Sequence, residues 1–309
     1  RVPLNAWPAP AEGAEPSAGD DVEYAAAYQL AAAVAERATP AGLQATWAAI
    51  HERRAAYQPV GSRASLETSD AAPDWRGLLD VLEDRTGTSF ADLWRQWVIR
   101  PGDAALLDQR AEARSTYQAV LDQADPWVLP RVVRDALRAW QFDQATELLA
   151  SATAALEDRD SVRSAADDAG LAPPSTMETA FEGPRGFAVT SAEADAELAA
   201  IAAYRRAAAA QPSAPSIFHE VGLWNTDPDA SLAAAATAFT EGDLRATVTS
   251  AAVAEQIWTS AESIGRNRVI AVGMSAAAFL LGLWLVSRWY RDRRVRRRRA
   301  RSWRELTPG

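Results

Sequence analysis

Between Arg268 and Arg288 the chain runs through VIAVGMSAAAFLLGLWLVS without a single charge. At 1.5 Å per residue, such a run makes a helix of roughly 28 Å, close to the thickness of a bilayer's hydrocarbon core. Nine strongly apolar residues lie in it: Val269, Ile270, Val272, Phe279, Leu280, Leu281, Leu283, Leu285 and Val286. At about 0.3 to 0.6 kcal/mol each they favour insertion by roughly 3 to 5 kcal/mol. The sequence therefore predicts a transmembrane helix over residues 269–287.

The flanks give that helix a direction. Trp284, Trp289 and Tyr290 cluster at its C-terminal end, where an interfacial aromatic belt would sit, with Arg288 among them, and an Arg-rich tail over residues 288–309 follows at once. The tail carries ten Arg against Asp292 and Glu305, a local charge of +8. The whole chain carries −9, so residues 1–287 hold −17. Positive charge stays on the cytoplasmic side, which puts the tail inside against an anionic inner leaflet and the acidic body outside. Arg266 and Arg268 on the other flank are too few to reverse this. A body so acidic is repelled by phosphate backbones, so nucleic-acid partners are not expected. The expected location is the cell membrane, single-pass, with the N-terminal region extracytoplasmic. Because the chain opens RVPLNAWPAP, with no export signal, a further segment upstream is expected.

Apolar residues make up 48% of the chain, much of it Ala in runs such as SLAAAATAF, and Ala is the best helix former. The fold class expected is all-α, with packed helices and α-hairpins ahead of the single membrane helix. Residues 1–20, rich in Pro and Ala, read as a connector. Residues 21–125 read as one helical domain and 126–265 as a second, parted at Pro126.

Within the first domain, Asp20 or Asp21 caps a helix whose apolar stripe takes in Tyr24, Tyr28, Leu30 and Val34. Thr39 followed by Pro40 is an N-cap with Pro at the first helical position, opening a second helix that runs to Tyr57. Asp74 caps a third, ended by Gly87, with Trp75, Leu78, Leu79 and Leu82 on one face. Phe90, Leu93, Trp94 and Trp97 stand at amphipathic spacing and read as core. In the second domain Phe239, Asp243 and Ala246 echo Trp140, Asp143 and Ala145, which suggests two related hairpins.

Chemistry is sparse. The chain has no Cys, so thiol nucleophiles and Cys-bound metals are excluded. His51 and His219 each precede a Glu, but no second His stands three residues after that Glu, so the H-E-x-x-H zinc helix is missing. The carboxylates fall at helix ends or solvated faces, and no pair stands out.

The order VEYAAAYQLAAAVAERATPAGL, then DWRGLLDVLEDRTGTSFADLWRQWVIRPGD, resembles the helical part downstream of the zinc site in gluzincin metallopeptidases of the aminopeptidase N type. The similar stretch covers roughly residues 20 to 110, and TGTSFADLWRQWV is its most specific string. The resemblance implies that the zinc site lies upstream, that this chain holds no metal or cofactor of its own, and that Tyr24 or Tyr28 falls near a Tyr that steadies the oxyanion of the tetrahedral intermediate. It implies the C-terminal, non-autonomous portion and membrane anchor of such a peptidase, partnered by an upstream peptidase domain. The alternative is a non-catalytic membrane scaffold that binds other membrane-protein subunits through its outward helices.

Overall fold

Asp74 and Gly87 behave as their chemistry requires. In the computed structural model, which describes residues 3–7, 18–58 and 66–304, the Asp74 carboxylate accepts the amides of Arg76 and Gly77, opening α2 (Trp75–Thr86). Gly87, at φ 65°, closes it by donating its amide to the Glu83 carbonyl. Much of the connector 1–20 lies outside the described residues. Among those described there are eleven α-helices and no strand, only an isolated bridge from Arg54 to Thr68, so the all-α fold class holds.

Contact clustering divides the chain into two compact units. The first takes residues 1–164 and 175–195, the second 165–174 and 196–309. The division falls inside α6 (Phe142–Ala169) and α8 (Phe187–Ala210), and Pro126 lies within the first unit.

In the first unit α1 (Ala18–His51) is continuous except at Thr39, which adopts φ 63° and ψ 157°. Thr39 Oγ1 accepts the Gly42 amide at 3.3 Å, so the cap expected from Thr39-Pro40 forms and kinks the helix. The second half stops at His51, six residues short of Tyr57. Glu52, Arg53 and Arg54 donate their amides back to Ala48, Ile50 and Ala49 with Arg53 at φ 54°, a C-terminal lock that turns Ala55, Ala56 and Tyr57 into the core.

The stripe expected on α1 also splits. Leu30 and Val34 pack on the core, whereas Tyr24 and Tyr28 are 58% and 71% exposed. At 100° per residue the two pairs stand about 120° apart on the helix, too far for one face.

After α2 come α3 (Ala91–Leu93) and a π-helical turn, Trp94–Val98. Phe90, Leu93 and Trp94 are buried, as their spacing predicts, and the Trp94 indole donates to the Trp75 carbonyl at 2.9 Å. Arg37 reaches across from α1 in a two-pronged contact with Asp92, at 2.5 and 2.8 Å. Then follow α4 (Ala104–Ala124), α5 (Arg131–Arg138), α6 and α7 (Thr176–Glu182).

The second unit holds α9 (Ile217–Leu223), α10 (Pro228–Thr240) and α11 (Leu244–Arg304), with Ala207, Ala235, Ala251, Ala254 and Trp258 in its core. The α5–α6 and α10–α11 turns are alike bond for bond. Ala139, Trp140 and Gln141 donate to Asp135, Leu137 and Ala136, and Glu241, Gly242 and Asp243 donate to Thr237, Phe239 and Ala238. The left-handed residue is Trp140 in one and Gly242 in the other. The same offset pairs buried Ala145 with Thr247, Leu149 with Ala251, Ala152 with Ala254 and Leu156 with Trp258. The two hairpins are thus related in geometry, but Phe239 answers to Leu137, not to Trp140 as the sequence pattern suggests.

Candidate functional site

One turn of α2 brings Asp80 and Glu83 to the same side, and both are buried. Arg110 of α4 fills the space between them. Its Nε lies 2.7 Å from Asp80 Oδ1 and its NH1 2.6 Å from Glu83 Oε2. The Tyr57 hydroxyl donates to Asp80 Oδ1 at 2.5 Å and the Trp140 indole to Oδ2 at 3.0 Å. Glu83 Oε1 accepts the Phe90 amide at 2.7 Å, and the Tyr117 hydroxyl donates to the Tyr57 carbonyl at 2.6 Å. Burial pushes the Asp80 carboxyl up from the usual carboxylate range against the pull of Arg110 and its other donors. Burial also raises the Tyr57 phenol, and takes that of Tyr117 to about 12.

A second cluster clamps the segment around Glu67 to α5. Arg134 and Arg138 each place an NH2 2.5 Å from a Glu67 carboxylate oxygen, and Arg138 also donates to the Ala56 carbonyl at 2.7 Å. Burial would raise the Glu67 carboxyl, but the two guanidiniums outweigh it and hold it below the ordinary glutamate value. The folded state then binds the proton less tightly than the unfolded chain, so this clamp stabilises at neutral pH and is lost as pH falls through the lowered value. The stability gap between the parent chain and Glu67→Gln, followed by urea unfolding, is expected to shrink steadily below the ordinary value of 4.5. A gap constant from pH 7 to 3 contradicts the clamp.

In these clusters the Asp80 and Glu83 oxygens accept donors from within the fold, and Glu67 is clasped by two guanidiniums. That is the pattern of a structural network more than of an acid–base pair facing a substrate. The sequence reading missed it, having found no carboxylate pair. Beside it opens a cleft of about 290 Å³ between the Arg53–Ala56 turn, the Ser69–Asp74 loop and α2.

The residues singled out by sequence do not converge. Tyr24 stands on the exposed side of α1 with its ring edge-on to Trp7, centroids 4.9 Å apart. Alongside runs an apolar groove of about 320 Å³ lined by Leu4, Leu30, Val34, Leu43, Trp47 and Trp94, among others. His51 ends α1 and is exposed, while His219 is buried on α9, in the other unit. Among the described residues no three His, Asp or Glu side chains gather as a metal site would need.

The residues expected at a membrane interface are near neighbours on α11. The Arg288 guanidinium lies over the Trp284 ring at 5.5 Å, Arg293 over Trp289 at 3.8 Å, and Trp289 meets Tyr290 edge-on at 5.3 Å. Within α11 one stretch is long and apolar enough to cross a membrane, and none of its apolar window is buried in the protein. Side chains such as Val272, Phe279 and Leu281 face outward with nothing over them. Side chains of the tail beyond Arg293 lie outside the described residues. Comparison with known proteins finds no matching family, no similar curated protein and no similar solved structure.

Proposed function

We propose that this chain is a membrane-anchored helical platform, held by α11 in a single pass with its tail inside, whose body presents α1 to a protein partner outside. One observation carries the reading: an apolar helical stretch left wholly uncovered by a fold that buries apolar side chains elsewhere in both units. A soluble core helix would be covered, and an uncovered one of this length finds its solvent in lipid. The lipid bilayer with its anionic inner leaflet is the first partner, met by the Arg tail.

The second partner is a protein. Val22, Tyr24, Tyr28 and Trp47 are large exposed apolar side chains on α1, and the apolar groove opens on the same helix. Aromatic anchors beside a groove are what a docking partner uses. The resemblance to gluzincin peptidases supports a narrower form of this reading, in which the partner is the zinc-bearing peptidase domain and Tyr24 reaches its active site. The exposure of Tyr24 suits that form, since a side chain already packed in the core could not be lent to another domain.

Tyr28→Glu with Trp47→Glu in the membrane-extracted protein tests the platform. Both side chains are exposed, so folding should persist by circular dichroism while the native-size complex falls to the mass of the chain alone. A complex unchanged in size removes α1 as the docking surface. Stoichiometric zinc and peptide hydrolysis in the intact complex, reduced by Tyr24→Phe, would select the peptidase form; a zinc-free complex would leave the scaffold.

A further inference from the structure

α9 is too short to stand on its own, and two glycines hold it against α11. A Cβ on Gly222 would fall 1.8 Å from the Ala261 carbonyl oxygen, and one on Gly265 would fall 1.7 Å from that of Phe218. The backbones touch there, as small residues permit at close helix crossings. Ser216 caps the start by accepting the His219 amide, and Arg268 gathers the end by donating to the carbonyls of Val221, Gly222 and Trp224 at 2.8, 3.1 and 3.1 Å. His219 and Gly222 are buried in this contact. The side turned away is bare and, apart from Glu220, apolar: Ile217 and Trp224 are 76% and 77% exposed, and Phe218 is exposed too.

The height of this face along α11 is what gives it meaning. The contact sits at Ala261 and Gly265, and the apolar stretch begins at Val269. Gly265 is four residues, about 6 Å of helix, from that start and Ala261 eight residues, about 12 Å, while a bilayer's headgroup layer is on the order of 5 to 7 Å deep on each side. Phe218, against Gly265, therefore stands at headgroup level if α11 spans, with Ile217 next to it, and Arg268, the residue before the span, draws the Trp224 carbonyl toward the same level. Glu220, on the same side and exposed, limits the depth to that layer, because its carboxylate must keep water. Arg266 and Arg268 lie at the same height, where lipid phosphates would be.

We propose that α9 and Trp224 form a second membrane contact, lying in the headgroup boundary of the outer leaflet and supplying the aromatic belt that the apolar stretch of α11 lacks at its Val269 end. This rests on the reading of α11 as a span. The protein then grips the bilayer with two elements locked together by Gly222, Gly265 and Arg268, which fixes the tilt and rotation of the second unit above the membrane.

The absence of Cys makes the test direct. Single substitutions Ile217→Cys, Trp224→Cys, Ala277→Cys and Thr249→Cys in the full chain are spin-labelled and reconstituted in phosphatidylethanolamine–phosphatidylglycerol vesicles. All four positions are exposed. Collision with oxygen, which concentrates in lipid, is compared with collision with a water-soluble nickel chelate. The expected oxygen-to-nickel ratio at 217 and 224 falls between that at Ala277, in mid-membrane, and that at Thr249, about 30 Å above the span. A ratio at 217 and 224 equal to that at Thr249 overturns the proposal, and so does protection from both reagents, which would mean a protein covers the face. If the Ala277 label itself reads as aqueous, the span reading fails first, and this separates the two failures.

Discussion

Arg110→Met is expected to destabilise the first unit by about 3 to 5 kcal/mol, because it strands Asp80 as a buried charge without its cation and leaves Glu83 only the longer contact to Arg114 Nε at 3.6 Å. The loss is not one of packing, since Met fills much of the same volume. Burial already lifts the Asp80 carboxyl, and without Arg110 it rises further, so the penalty should be largest at neutral pH and ease on acidification as Asp80 takes up a proton. Adding Glu83→Gln should recover part of the loss, since the amide oxygen still accepts the Phe90 amide while one poorly paired charge is gone. Urea unfolding followed by tryptophan fluorescence reads all three. A loss below about 1 kcal/mol for Arg110→Met would place these carboxylates in contact with water and remove the network as the organiser of α2 against α4.

Ala277→Arg is the second large effect. The residue lies near the middle of the uncharged run and is exposed. An Arg there costs about 3 kcal/mol on the insertion scale, against roughly 3 to 5 kcal/mol of favourable contributions from the whole run. Most of the protein should then appear in the soluble or washed fraction, whereas Ala277→Leu stays in the membrane. Retention of the Arg variant through carbonate washing would show that something other than α11 holds the chain.

How much of this was readable in advance depends on the range of the physics involved. Asp74, Gly87 and the Thr39-Pro40 pair act within one helical turn, so their caps could be read from neighbours in the sequence. The apolar run of α11 was equally plain, because a bilayer imposes length and composition and nothing subtler. Asp80 and Glu83 do not stand out in the sequence, because an acidic pair on a helix reads as a solvated face. What buries them is Arg110, Tyr57 and Trp140, some 23 to 60 residues away. The sequence pattern suggests the related hairpins, but at the wrong register. The left-handed residue that fixes the turn is a glycine in one copy and Trp140 in the other, so matching aromatic to aromatic slides the alignment. Gly222 and Gly265 carry no sign of each other, since close backbone approach is a property of the pair.

The platform reading stands or falls on which side of the membrane the body lies. Thr249→Cys and Trp303→Cys, each the only thiol in the chain, are exposed to a membrane-impermeant maleimide in intact cells and again after permeabilisation. The account predicts that Thr249→Cys labels in intact cells and Trp303→Cys only once the membrane is opened. Labelling of Trp303→Cys in intact cells, with Thr249→Cys protected until permeabilisation, would put the helical body in the cytosol and contradict it.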